Sequence, residues 1–266
     1  MRWLGIGYRN ELKEWLLGFP EEVKSLEITA EHFFDGGEAI LEKLGSHYPL
    51  FVHGLGLSLG TPGPLCSETL ERFARVAEIA DAQWVSEHVS FSRTDEVDLG
   101  HLNPVPHNER SLAVMVEHAI EVAERCDRQL ILENITSDLQ IRGDMSETDF
   151  LNKLCERSGC RLLLDVTNLF INSKNHNYDP RKWIREISPS NILQLHVVGY
   201  SRCGDSYQDH HSAPIQDDLM ELIDDVVKYS GVQAVTLERD DRLNELDEIK
   251  TELTRLEALH VANQNH

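Results

Sequence analysis

The sequence predicts an α/β fold, a (β/α)8 TIM barrel that occupies residues 1–266 as a single domain. Three observations predict it. Eight short apolar runs recur along the chain, amphipathic stretches lie between them, and residues of metal-ligand type stand at the ends of six successive runs. In a parallel barrel those ends converge on one face, so the expected site is a metal site at the C-terminal ends of the strands.

The expected strands span residues 3–8, 25–30, 50–53, 84–87, 129–133, 161–165, 192–196 and 234–238. Several are apolar at successive positions, as strands covered on both faces must be. Helical periodicity fills the gaps. Residues 68–81 place Leu70, Phe73, Val76, Ala77 and Ala80 on one stripe. Residues 108–126 repeat the pattern with Leu112, Met115, Val116, Ala119, Ile120 and Ala123, and the last helix does so with Leu243, Leu246, Ile249, Leu253, Leu256 and Leu259. Ser146 three residues before Asp149 reads as a helix start, as does Ser67 more weakly, and Asp179-Pro180 opens the sixth helix. Gly159 and Gly231 follow helices, where a left-handed residue is expected. A doubly wound open sheet is the competing architecture. It ordinarily carries a Gly-rich first turn, whereas Gly5-Ile6-Gly7 lies inside the first strand. Residues 90–107, 169–178 and 197–213 read as irregular loops, each following a strand.

Composition narrows the function. The 266 residues carry 46 acidic and 25 basic side chains, a formal charge of −21, which opposes nucleic acid and anionic membrane as partners. No apolar run approaches the roughly 18–20 residues of a membrane span, and the N-terminus has no signal-peptide pattern. Five cysteines without a CxxC pair fit reduced thiols and a cytoplasmic location, with Cys203 the one expected to be exposed.

The strand ends carry the chemistry. His53 ends the third strand, Glu87 and His88 the fourth, Glu133 and Asn134 the fifth, Asp165 the sixth, His196 the seventh and Glu238 the eighth. Asn168 lies three residues past Asp165, and Asp209, His210 and His211 follow the seventh strand. A lone strand-end histidine is ordinarily a satisfied buried polar residue. Six such ends in succession, with no basic residue among them, call for a cation to balance the carboxylates. The candidates exceed the needs of one ion and suit two or three, with Glu133, Asp165 and Glu238 able to bridge. Spacing alone leaves zinc, iron and manganese open. Glu87 faces the other side of its strand from His88 by alternation, which makes it a supporting residue. Glu27 and Glu31 are placed to orient ligands or to form salt bridges. Gly54, Gly56 and Gly60 offer close approach to a peptide backbone, and Asn172, Asn175 and His176 read first as hydrogen-bonding loop residues. Asp240 is a candidate catalytic base, or else a surface acid in a run with Asp241 and Glu245.

With those residues in view, the runs FVHGLGLSLG (51–60), WVSEHVSFS (84–92), LILEN (130–134), LLLDVTNLFINSKNH (162–176), LQLHVVGY (193–200), DHHSAP (209–214) and TLERDD (236–241) resemble the multinuclear non-heme iron-dependent oxidases. The methanobactin-biosynthesis oxidase typifies that family. The resemblance implies a TIM barrel holding two to three iron ions, a mixture of Fe(II) and Fe(III), with O2 as co-substrate. It implies oxidative modification of a ribosomally made (RiPP) precursor peptide, commonly at cysteine, often with a partner protein that captures the peptide leader. Carried over by motif, one iron takes His53, His88 and Glu133, and a second takes Asp165, His196 and Glu238. A third takes Asp209 and His211 with Asn168 nearby. Two departures touch the surroundings and leave the ligands: Ala213 stands where a histidine is often found, and Asn177 where glycine is common.

Two rival readings remain. One is a different metal enzyme on the same barrel, a zinc phosphodiesterase or sugar isomerase. The charge of −21 opposes the first, and the absence of a strand-end lysine opposes the second. The other is a metal-binding scaffold without turnover.

Overall fold

Parallel strands Trp3–Gly7 (β1), Ser25–Thr29 (β2), Leu50–His53 (β3), Val85–His88 (β4), Leu130–Glu133 (β5), Arg161–Asp165 (β6), Ile192–Val197 (β7) and Ala234–Leu237 (β8) close on themselves, β8 pairing with β1. The computed structural model describes residues 1–94, 97–141 and 143–264, the last five by backbone alone. The expected TIM barrel is therefore present, and each strand lies within one residue of its expected bounds at either end. Among the described residues no helix is long and apolar enough to cross a membrane.

Alternation along the strands sorts the barrel interior into layers. Trp3, Phe51, Trp84, Ile131, Leu163, Leu193 and Ala234 pack together as an apolar floor. Phe51 and Trp84 stack with ring centroids 4.4 Å apart. Two residues further along the strands the interior turns polar, with Glu27, Ser86 and Thr236 joined by Gln194, all buried. The next inward positions are His53, His88, Glu133, Asp165 and Glu238, with His196 beside them. Register makes neighbours of two pairs among them, His88 with Glu133 and Asp165 with His196. Gly5 is small for a reason here, because a Cβ on it would lie 2.3 Å from the Ser25 carbonyl oxygen of the neighbouring strand.

Outer helices follow the expected stripes with corrected ends, except that Ile120 is exposed and His118, Val122 and Cys126 complete the buried face of its helix. Residues 68–81 are observed as Ser67–Ile79, whose cap is Cys66 with no side-chain bond, so Ser67 starts the helix without capping it. Residues 108–126 form Glu109–Cys126, capped by Asn108, which accepts from Ser111 N. Ser146 caps Glu147–Ser158 by accepting from Asp149 N, and Gly159 closes that helix at φ +74°. Gly231 does not have the matching role, because Asp217–Tyr229 ends at Ser230 in extended geometry. Leu243 precedes the last helix, Leu246–Gln264, and is buried beside it.

The three stretches expected as loops are ordered. Within 90–107, Ser90–Arg93 pairs antiparallel with Asp98–Pro104; residues 95 and 96 lie outside the described residues. Within 197–213, Gly199–Cys203 pairs with Ser206–Ala213. Residues 169–178 belong to a helix, Val166–His176, that starts directly from β6. The helix opened by Asp179-Pro180, Pro180–Glu186, is thus the second of its unit. Cys203 is exposed, as expected.

Candidate metal centre

The six strand-end residues meet at the barrel mouth. His53, His88 and Glu133 bring one ligand atom each within 4.8 Å of one another, and so do Glu133, Asp165, His196 and Glu238. Glu133 is common to both groups. Its Oε2 lies 3.5 Å from His53 Nε2 and 3.4 Å from His88 Nε2, while its Oε1 lies 3.2 Å from His196 Nδ1. Glu238 Oε2 reaches the same His196 nitrogen at 3.1 Å. The Asp209–His211 pair is closed at 2.7 Å, and His211 Nδ1 is 3.7 Å from Glu238 Oε1. Asn168 donates from Nδ2 to Asn134 O at 3.1 Å, and its backbone N–H donates to Asp165 Oδ1 at 2.7 Å.

Neighbouring residues fix which ring nitrogen faces the centre. The Ser86 hydroxyl donates to Val52 O at 3.4 Å and accepts from His53 Nδ1–H at 2.8 Å, which leaves the Nε2 lone pair of His53 directed at Glu133. His196 is turned the other way. Its Nε2 is 2.7 Å from Glu27 Oε1, and its Nδ1 faces Glu133 and Glu238. Gln194 holds Glu27 by donating to Oε2 at 2.6 Å and is itself held by Trp84 Nε1–H at 2.5 Å. Of the two roles open to Glu27, the structure thus shows contact with a candidate ligand. Glu31 instead accepts from the backbone N–H groups of Leu55 and Gly56. Glu87 accepts from Leu57 N at 2.9 Å through Oε1, and its Oε2 lies 3.5 Å from His88 Nδ1, so it supports that candidate ligand from behind.

The residues fit a cation. Glu133 Oε2, Asp165 Oδ2, Asn168 Oδ1 and Asp209 Oδ1 are buried and accept no hydrogen bond from the described residues. All four are acceptors of the kind bound cations satisfy, and the mixed nitrogen and oxygen set suits first-row transition metals. Electrostatics agrees. Burial alone pulls the His196 imidazole down, yet Glu27, Glu133 and Glu238 hold it well above its ordinary value. Burial likewise opposes the charge of His88, and Glu133 and Glu87 push it up to about 9. Burial, together with Glu133 and Asp209, drives the Asp165 carboxyl well above the carboxylate range. Protons thus take the place of cations in the metal-free cluster, and metal entry displaces them.

The mouth is a cavity of about 550 Å³. Among the described residues lining it, Arg9 is the one Lys or Arg side chain. Arg9 Nε donates to Asp240 Oδ1 at 2.6 Å, and Asp240 Oδ2 lies 3.0 Å from His211 Nδ1. His211 and Arg9 hold the Asp240 carboxyl below its ordinary range against burial. Arg9 was not legible as a site residue because it lies two positions past β1. The available signal was Gly7, where a Cβ would come within 2.9 Å of the Arg9 guanidinium.

Two further expectations are corrected. The close approaches at Gly54 and Gly60 are internal: a Cβ would meet Phe73 at 2.8 Å and Val105 at 2.3 Å respectively. Asn172, Asn175 and His176 form hydrogen bonds as expected, but from a helix. Asn172 bonds Ile135 O and Ser137 N, Asn175 bonds both backbone groups of Tyr207, and His176 bonds Ser137 O. His210 pairs with Ser201 and is exposed.

A parallel barrel with shared carboxylates and imidazoles at its mouth defines a TIM-barrel protein with a candidate metal centre. Over residues 3–261 the chain matches the family described as RiPP precursor modification enzyme MbnB/TglH/ChrH, and it belongs to that family. The family resemblance drawn from the motifs is thereby borne out. Relatives include a UPF0276 protein of Rhizobium meliloti, 32% identical over 248 residues (90% of this chain and 78% of the relative). Another, from Nitrosospira multiformis, is 31% identical over 268 residues and covers 97% of this chain and 92% of its own. The fold is similar to D-psicose 3-epimerase from Clostridium cellulolyticum (TM-score 0.65, 13% identity, 98% and 99% of the two chains). It is also similar to endonuclease IV from Thermus thermophilus (TM-score 0.62, 13% identity, 96% and 99%). At such identity these likenesses speak for the fold alone.

Proposed function

We propose that this enzyme carries out iron- and O2-dependent oxidation of cysteine in a ribosomally made precursor peptide. The observation that carries the reading is the position of Glu133, a carboxylate shared by two ligand groups within a family of RiPP precursor modification enzymes. His53, His88 and Glu133 would hold one ion, and Asp165, His196 and Glu238 a second. Asp209 and His211, with Asn168, would complete a third. Iron bound there supplies electron transfer to O2 and affinity for a thiolate.

The chain's own residues do the rest. The apolar floor fills the barrel below the centre, which supports entry of substrate and O2 from the mouth. Arg9 and His211 keep Asp240 ionised at that mouth, where as the proposed base it would first accept a hydrogen bond from the peptide thiol or N–H and take the proton only as one of those two contacts opens. Leu55, Val97, Leu139 and Ile141 expose large apolar side chains on loops of the same face. That supports a peptide, with a leader-binding partner protein, covering it.

Elemental analysis after anaerobic purification tests the reading. Two to three irons per chain, O2 uptake and a mass change at cysteine in the precursor peptide are expected. Stoichiometric zinc without iron-dependent turnover would overturn it and favour the phosphodiesterase or isomerase chemistry.

A further inference from the structure

The catalytic face holds a second cavity that none of the chemistry above uses. The mouth shares Leu102 and Thr136 with a trough between the two hairpins, and the trough shares Pro104 and Asn172 with a side pocket of about 200 Å³. Val89, Val105, Ile135 and Leu151 give this pocket apolar walls. Among its described lining residues Glu147 is the one carboxylate, beside the polar side chains of Asn134, Ser137, Gln140, Asn172 and Tyr178. One carboxylate oxygen, Oε2, accepts from Trp183 Nε1–H at 2.8 Å. No Lys or Arg is found among the described residues that line the pocket. Of its two imidazoles, His107 packs on Phe150 and is held low by burial, while His176, which donates from Nε2 to Ser137 O at 2.6 Å, lies close enough to Glu147 to favour its charged form.

Glu147 is the first residue of helix Glu147–Ser158, where an acid is favoured by the helix dipole. A solvated carboxylate serves that purpose equally well, and Ser146 already caps the helix. Partial burial in this cavity of mixed polarity adds a desolvation cost that the helix does not require. A cation entering along the trough removes that cost. An alkyl stem lying on the apolar walls with a charged tip at the carboxylate matches the pocket in shape and sign.

We propose that the side pocket receives a lysine or arginine side chain of the precursor peptide, seated on Glu147 while the cysteine to be modified lies at the barrel mouth. The proposal rests on the reading that a peptide is the substrate. It adds a recognition site for a basic residue at a fixed spacing from the cysteine.

The test uses iron-loaded enzyme and labelled synthetic peptides with one cysteine in a Gly/Ser background. A single lysine is placed at each nearby position on either side, with norleucine at the same position as control. Fluorescence anisotropy should show lysine binding roughly 10-fold tighter than norleucine at one narrow set of spacings. Glu147→Gln should erase that difference and leave the norleucine peptides and the iron content unchanged. Leu151→Phe, which narrows the same pocket, should also erase it and carries the test if Glu147→Gln fails to fold. Equal affinities at every spacing, absence of binding included, overturn the proposal. So does a lysine preference that survives in Glu147→Gln, or loss of iron from that variant. Lysine preference without cysteine oxidation would leave the pocket and remove the proposed chemistry. Oxidation without lysine preference would do the reverse.

Discussion

Glu27 Oε1 lies 2.7 Å from Nε2 of His196, one layer below the ligand cluster and inside the barrel. The contact turns Nδ1 of His196 toward Glu133 and Glu238, and the Trp84–Gln194–Glu27 hydrogen bonds keep it there. Supporting residues of this kind hold a ligand's ring and tautomer. Glu27→Gln keeps the shape and removes the charge. Metal affinity should fall ~10–100-fold, read by chelator competition, with the circular dichroism spectrum unchanged. Unaltered affinity would remove Glu27 from the support of the centre.

Because Glu133 reaches His53 and His88 with one oxygen and His196 with the other, its loss should disturb two ions. Glu133→Ala should therefore remove more metal per chain than His53→Ala, which lies in a single group. Metal analysis of the two variants after identical reconstitution decides it. Equal losses would mean that the carboxylate is not shared.

The ligand candidates were legible because a strand has a period of two and a barrel has one open end. Any polar residue at an inward strand end reaches the mouth, so His53, His88, Glu133, Asp165, His196 and Glu238 follow from position alone. Helix Val166–His176 was not legible. Asn168, Asn172, Ser173 and Asn175 are poor helix formers, and what overrides propensity is buried hydrogen bonding, such as Asn172 to Ile135 O and Ser137 N. Its one local signal was Asp165 capping the N–H of Asn168 three residues on. The hairpins were missed because Ser90–Arg93 and Gly199–Cys203 are largely polar and only partly buried, so they lack the apolar alternation that marks core strands. Arg239 was hidden for the opposite reason. An arginine next to a strand end reads as surface, yet it is fully buried by partners from the C-terminal helix.

That burial has a measurable consequence. Arg239 Nη1 donates to Glu252 Oε2 at 2.7 Å and Nη2 to Glu248 Oε1 at 2.7 Å, while Glu252 also accepts from Ile215 N at 2.8 Å. Arg239→Met fills the space and leaves Glu252 buried without its cation. Unfolding free energy should fall by about 3–5 kcal/mol, measured by denaturant titration. A loss under about 1 kcal/mol would show that the C-terminal helix is held by its apolar stripe alone.

Glu147 makes stability depend on pH in a predictable direction. Burial raises its carboxyl above the ordinary range, against the opposing hydrogen bond from Trp183 and the nearby His176 imidazole. Between the unfolded pKa and the raised folded one, the native chain keeps a proton that the unfolded chain has released. The stability this gives is complete below the unfolded pKa and is lost as pH rises through the folded pKa. Glutamine has no proton to lose, and its side-chain oxygen can still accept from Trp183. Glu147→Gln should therefore melt above the wild-type protein at pH values near 8, and the gap should close as pH falls toward about 4, near the unfolded glutamate value. Melting temperatures of both proteins across that range provide the check. A gap that stays constant with pH would show that Glu147 ionises as freely in the folded chain as in the unfolded one, and that its pocket carries no desolvation cost for a cation to relieve.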